Sequence, residues 1–155
     1  MTGRNYAFIL GILAFAFFLR VLGQAVVAFF QVEFLPPMDE WYSGVIPYPV
    51  LLPVQILILL VQVRISRDIR RGRGFFARGR PRMGVVIQVG SCIYFAMMVA
   101  RYAIVMTLFP ERRWFGGTIP IFFHWVLAAY LFALGRYYVQ AARASVSQPP
   151  EGERP

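Results

Sequence analysis

The sequence contains no lysine, a single cysteine and a single histidine, and seven acidic residues against sixteen arginines. Each shortage closes off a class of chemistry. Cys92 has no second cysteine with which to form an intrachain disulfide. Cys92 and His124 together cannot supply the ligands of a zinc site. A haem with two axial histidines is also excluded, because the chain offers only one. The all-arginine basic set is what a GC-rich genome produces, and it needs no selection for forked guanidinium contacts.

What is present is apolar surface. Hydrophobic residues make up 59% of the chain and charged residues 15%, with a mean hydropathy of +0.59. A soluble domain is about 45–50% apolar and about 25% charged. The excess falls in four runs, 6–30, 45–63, 83–108 and 118–138. Each is long enough to cross a ~30 Å hydrocarbon layer as a helix rising about 1.5 Å per residue. Backbone groups in lipid must bond within their own segment, so runs of this length read as helices. The expected fold is all-α: an integral membrane four-helix bundle over residues 1–144, with short outer loops. A disordered polar tail is expected at 145–155.

Charge sets the expected orientation. The segment 64–82 carries Arg64, Arg67, Arg70, Arg71, Arg73, Arg78, Arg80 and Arg82 against one acid, Asp68. Arg4 precedes the first run, and Arg143 and Arg154 follow the last. The loop after the first run has Glu33, Asp39 and Glu40 and no base. Positive loops stay inside, so both termini and the loop 64–82 are expected in the cytoplasm. Trp41, Tyr42, Tyr48, Trp114 and Phe115 would then lie at the outer interface, with Tyr137 and Tyr138 at the inner one. Gly23-Gln24-Ala25 resembles a signal-peptide cleavage site, but the apolar run continues through Val26–Phe30. An uncleaved first span is expected, in a bacterial inner membrane. Pro53 should mark the start of the second helix or kink it.

Ionisable groups inside a membrane are costly and tend to be functional. Three are candidates: Arg20, Arg101 and His124. With the expected orientation, Arg20 lies near the midplane, Arg101 in the outer half, and His124 about 9 Å below the outer surface. Helical spacing gives each span one polar stripe: Arg20 with Gln24, Gln55 with Gln62, Tyr94 with Arg101, and His124 with Gly135. If the stripes face one another, Arg20, Gln24, Gln55, Arg101 and His124 line a positive pocket in the outer half. Glu33, Asp39, Glu40 and Glu111 would stand near its mouth. The plainer alternative is structural, with arginines snorkelling to the interface and glutamines joining helices.

The eight arginines of 64–82, with Phe75 and Phe76 among them, sit directly between two spans. Anionic headgroups are always within reach there, each arginine contributing about 1 kcal/mol. Lipid contact is therefore expected, and nucleic-acid binding is not. No metal site is expected, and Asp39-Glu40 reads as a solvated turn. Covalent catalysis needs a nucleophile beside a base, but Cys92 and His124 fall in opposite halves of the membrane. No cofactor is predicted; a five-coordinate or dimer-bridging haem, a quinone or a pigment on His124 would be compatible with one histidine. The chain lacks the early membrane carboxylate and weak charge bias of a dual-topology exporter. It also lacks the cysteine-bearing outer loop of a tetraspanin.

The functional expectation is a non-enzymatic bundle that binds a lipid-like anion or serves a larger membrane complex or homo-oligomer. A redox or quinone- or carboxylate-handling enzyme subunit using His124 with Arg20 and Arg101 is the alternative. A subunit of an oligomeric transporter is the third.

Overall fold

Where no water is at hand, a backbone amide bonds along its own chain, and long helices dominate the structure. The computed structural model describes residues 2–30, 32, 34–41, 47–108 and 118–146, apart from the side chains at 39, 40, 118, 145 and 146. The expected pocket-mouth residues Glu33 and Glu111, the side chains of Asp39 and Glu40, and the tail from 147 onward lie outside the described residues. The elements are α1 (Gly3–Phe30), α2 (Met38–Trp41), α3 (Tyr48–Arg71), α4 (Pro81–Leu108) and α5 (Thr118–Val146). All but the short α2 are long and apolar enough to span a membrane.

The helix ends differ from the ends of the apolar runs. The charged segment expected as a loop from 64 to 82 is helical up to Arg71 and again from Pro81. Ile65 and Ile69 are the reason. Four residues apart on one face, both are buried in the core, and Arg64 pairs with Asp68 along the same helix at 3.3 Å. Charge ends the lipid-facing run without ending the helix. Gly72 stops α3 in the left-handed conformation, φ 63°, which glycine adopts without a Cβ penalty. Its N–H donates to the Ile69 carbonyl at 3.1 Å. Pro53 lies inside α3, and the helix begins five residues earlier, at Tyr48.

Contacts set the neighbour order α3–α1–α5–α4. The most extensive contact joins α4 to α5, and α1 touches both α3 and α5. The core cluster sits where α1 begins and α3 and α5 end: Tyr6, Leu10, Ile65, Ile69, Leu134 and Tyr138. Buried phenols need partners, and three find them across the chain. Tyr6 Oη donates to Gln140 Oε1 at 3.0 Å, Tyr130 Oη to the Gln62 carbonyl at 3.0 Å, and Tyr137 Oη to the Ala77 carbonyl at 2.6 Å. These bonds hold the start of α1, the link 72–80 and the end of α5 together.

Helix α4 buries only Gly84 and Ser91 among its residues. It is drawn in by backbone approach. A Cβ on Gly84 would lie 2.8 Å from the Gly135 carbonyl, and one on Gly135 would lie 2.7 Å from the Gly84 carbonyl. Membrane helices lack a hydrophobic force between them, so such close packing supplies the attraction. Gly135→Ala should therefore separate α4 from α5 and destabilise the bundle by about 1–3 kcal/mol, measured by unfolding in mixed micelles. Gly90→Ala, where a Cβ meets nothing within 4 Å, should leave stability unchanged or raise it. Equal effects of the two substitutions would overturn this account.

Candidate functional site

Arg20 and Gln24 lie one turn apart on α1 and therefore share a face. Both point inward: Arg20 is 8% exposed and Gln24 fully buried. Gln55, buried on α3, meets them. The Gln24 Oε1 accepts from Arg20 Nη1 at 2.9 Å and from Gln55 Nε2 at 3.1 Å. A third residue joins from outside the long helices. Arg20 Nη2 donates to the backbone carbonyl of Trp41, at the end of α2, at 3.3 Å. On the α5 side, the Arg20 guanidinium carbon lies 5.6 Å from the centre of the Phe123 ring, within cation–π range. Groups from α1, α2 and α5 thus meet one guanidinium, with α3 joined through Gln24, and among the described residues every group in contact with it is neutral.

Trp41, expected at the outer interface, is buried in the structure. Its indole lies over Gly23 on α1, where a Cβ would be 2.8 Å from the ring. Its Nε1 donates to the Pro36 carbonyl at 2.9 Å. The segment after α1 therefore folds back onto the helix, and the missing side chain at Gly23 makes the seat. Tyr48, at the start of α3, is near enough to Arg20 to feel its charge.

The expected five-residue pocket divides into two. Arg20, Gln24 and Gln55 form one cluster. His124 faces α4 instead, where its Nδ1 is hydrogen-bonded to Tyr94 Oη and the two rings meet edge to face. Arg101 is exposed on α4, beyond Tyr94. The cause lies in the packing order. Helix α4 makes its extensive contact with α5 and none of that kind with α1 or α3, so its polar stripe turns away from the Arg20 face. The two groups remain electrically linked, since Arg20 and Arg101 both lie within electrostatic reach of His124. Between the C-terminal half of α4 and the start of α5, Phe95, Tyr102, Phe122 and Trp125 form an aromatic cluster.

The second polar residue of α3, Gln62, is buried as its stripe with Gln55 implied. Its carbonyl accepts from Ser66 Oγ and Tyr130 Oη, while its side-chain amide has no partner among the described residues. Most of the arginines of 64–82 are exposed: Arg64, Arg67, Arg70, Arg71, Arg73, Arg78 and Arg82. Arg80 is half-buried, stacked 4.0 Å over Phe75 and donating to the Phe75 carbonyl at 3.3 Å. The link between α3 and α4 is organised around Asp68, whose carboxylate accepts from the Phe76 N–H at 3.4 Å. A Cβ on Gly74 would fall 2.5 Å from that carboxylate. Among the described residues no three His, Cys, Asp or Glu side chains group as a metal site. Cys92 is exposed on α4.

Chemically, the Arg20 cluster presents a permanent charge solvated by the Gln24 amide, which Gln55 buttresses, a backbone carbonyl and a ring. Its described members, Arg20, Gln24, Gln55, Trp41 and Phe123, include no nucleophile and no base. Its suitable task is to hold or attract negative charge. The seat of Trp41 can be tested directly. In a chain whose other tryptophans are replaced by phenylalanine, Gly23→Ala should push Trp41 off α1, seen as a red shift of its fluorescence and faster quenching by iodide. An unshifted spectrum would mean that Trp41 does not rest on Gly23.

The chain matches no protein-family model, and neither a curated protein nor a solved structure is significantly similar to it.

Proposed function

We propose that this chain is a non-enzymatic membrane bundle that holds a lipid-like anion against Arg20, in the half of the membrane away from its termini. One observation carries the reading. Arg20 is a buried guanidinium whose described partners, Gln24, Trp41 and Phe123, are all neutral. Neutral dipoles lower the cost of the charge but do not cancel it. An acidic headgroup or a fatty carboxylate would. Tyr48 at the start of α3 and the α2 segment border the same place, on the side where such an amphiphile would enter. A place within a larger membrane complex or a homo-oligomer fits the same chemistry, with a partner's carboxylate as the anion. Both termini and the 72–80 link lie in the cytoplasm on this reading, as the distribution of arginine favours.

The Tyr94–His124 pair favours a second reading. A phenol and an imidazole in hydrogen-bond contact can pass a proton, so a quinone or another carbonyl-bearing amphiphile could be handled between α4 and α5. Visible absorbance or a quinone in the purified protein would support that reading over the first.

Two experiments test the proposal. Arg20→Leu should at least halve the acidic amphiphile that co-purifies with the protein, measured by mass spectrometry of the solvent extract. Arg20→Gln should do the same while preserving hydrogen bonding. Unchanged content in both variants, with the protein folded, would defeat the proposal. For orientation, a Cys92→Ser chain carrying Arg73→Cys should react with a membrane-impermeant maleimide only after the cells are opened. Labelling of intact cells would reverse the topology.

A further inference from the structure

The other end of α1 carries a separate feature that the Arg20 site does not use. Two adjoining grooves flank α1 near its start. One, of about 390 Å³, runs between α1 and α3 past Gly11, Ala14, Phe15, Phe18 and Leu59, and ends at Arg67 and Arg70. The other, of about 490 Å³, adjoins it along α1. It shares Ala7, Gly11, Phe15 and Arg70 with the first and adds Arg4, Phe8 and Ile12. Small residues at 7, 11 and 14 fall on one face of the helix, and Ala7 and Gly11 form the common floor. A Cβ on Gly11 would meet nothing within 4 Å, so the trough is open there.

We infer that the two grooves form one binding site for a two-chain acidic glycerophospholipid, with its phosphate among Arg4, Arg67 and Arg70 and one acyl chain in each groove. Three observations support this occupant. The charge is all at one end: three arginines stand at the head of walls that are otherwise apolar. None of the three is neutralised by the acid whose side chain is described, since Asp68 pairs with Arg64. The length also fits. From Arg4 to Phe18 the helix rises about 21 Å, which covers a headgroup and the ~15 Å of hydrocarbon in one leaflet. The branching fits a diacyl lipid in particular, because beyond the shared residues one groove leads to Phe18 and Leu59 and the other to Phe8 and Ile12. A free phosphate would leave both channels without a partner, and a protein helix would set apolar side chains or its own charges against the three guanidinium groups.

The arginine end of this site, at Arg4, stands about 24 Å from Arg20 along α1, and the grooves share no residue with the Arg20 cluster, so the two proposals fail independently. The test uses the full chain in nanodiscs of equimolar phosphatidylcholine and phosphatidylglycerol, ejected into a native mass spectrometer. The unaltered protein should retain phosphatidylglycerol in preference to phosphatidylcholine. The double variant R67Q/R70Q should lose about tenfold more of the retained lipid than R71Q/R73Q, which removes the same charge from exposed positions away from the grooves. Gly11→Leu, which fills the shared floor without altering charge, should also abolish preferential retention. Equal loss in the two arginine pairs would mean diffuse attraction and would overturn the site. Retention that survives Gly11→Leu would overturn it as well. If R67Q/R70Q does not fold, as judged by circular dichroism, Gly11→Leu alone decides between the outcomes.

Discussion

A guanidinium placed in hydrocarbon must bring its own solvent. That constraint organises the half of the structure around Arg20. The charge cannot be removed by deprotonation at any ordinary pH, so the protein supplies dipoles instead. Gln24 is held one turn away, Gln55 is brought in from α3, and the chain after α1 turns back to offer the carbonyl of Trp41. Each contact has a structural consequence. Gln24 bridges α1 to α3, and the Trp41 carbonyl requires that α2 lie on α1, which in turn requires glycine at position 23. Hydrogen bonds between membrane helices contribute only about 0.6 kcal/mol on average, so the network secures geometry more than stability. Stability comes chiefly from the close-packed core at the other end and from the glycine contact between α4 and α5.

Much of this architecture was legible in the sequence, for reasons that can be named. Lipid requires a minimum apolar length, and four runs of that length gave four spanning helices. Helical periodicity placed Arg20 beside Gln24 and Gln55 beside Gln62, and those faces are the buried ones. The helix ends were less legible, because hydropathy reports the edge of the hydrocarbon and not the edge of the helix. At Arg64–Arg71 the decisive residues are Ile65 and Ile69, two apolar side chains among arginines whose spacing of four is the only sign that the helix continues.

The grouping of polar residues was the least legible. Periodicity tells which residues share a face but not which helix that face will meet. Helix α4 is apolar nearly all round, so nothing in it ranks α5 above α1 or α3 as a neighbour. The answer lies in Gly84 and Gly135, which permit backbones to touch. Once α4 is committed to α5, Tyr94 meets His124 and Arg101 is left on the outer surface. Trp41 escaped for a related reason. Its partner, Gly23, looks in sequence like one small residue among many in an apolar run.

The one-sided attachment of α4 also bears on how the chain is made. Ribosomes deliver helices in order, so α3 emerges when its neighbour α1 is already in the bilayer. Helix α4 emerges before α5, its principal neighbour. During that interval it stands alone in lipid, and a polar stripe facing outward would hold it at the translocation channel. Arg101 apart, its largely apolar circumference is thus the coat of a segment that must wait unaccompanied for its companion.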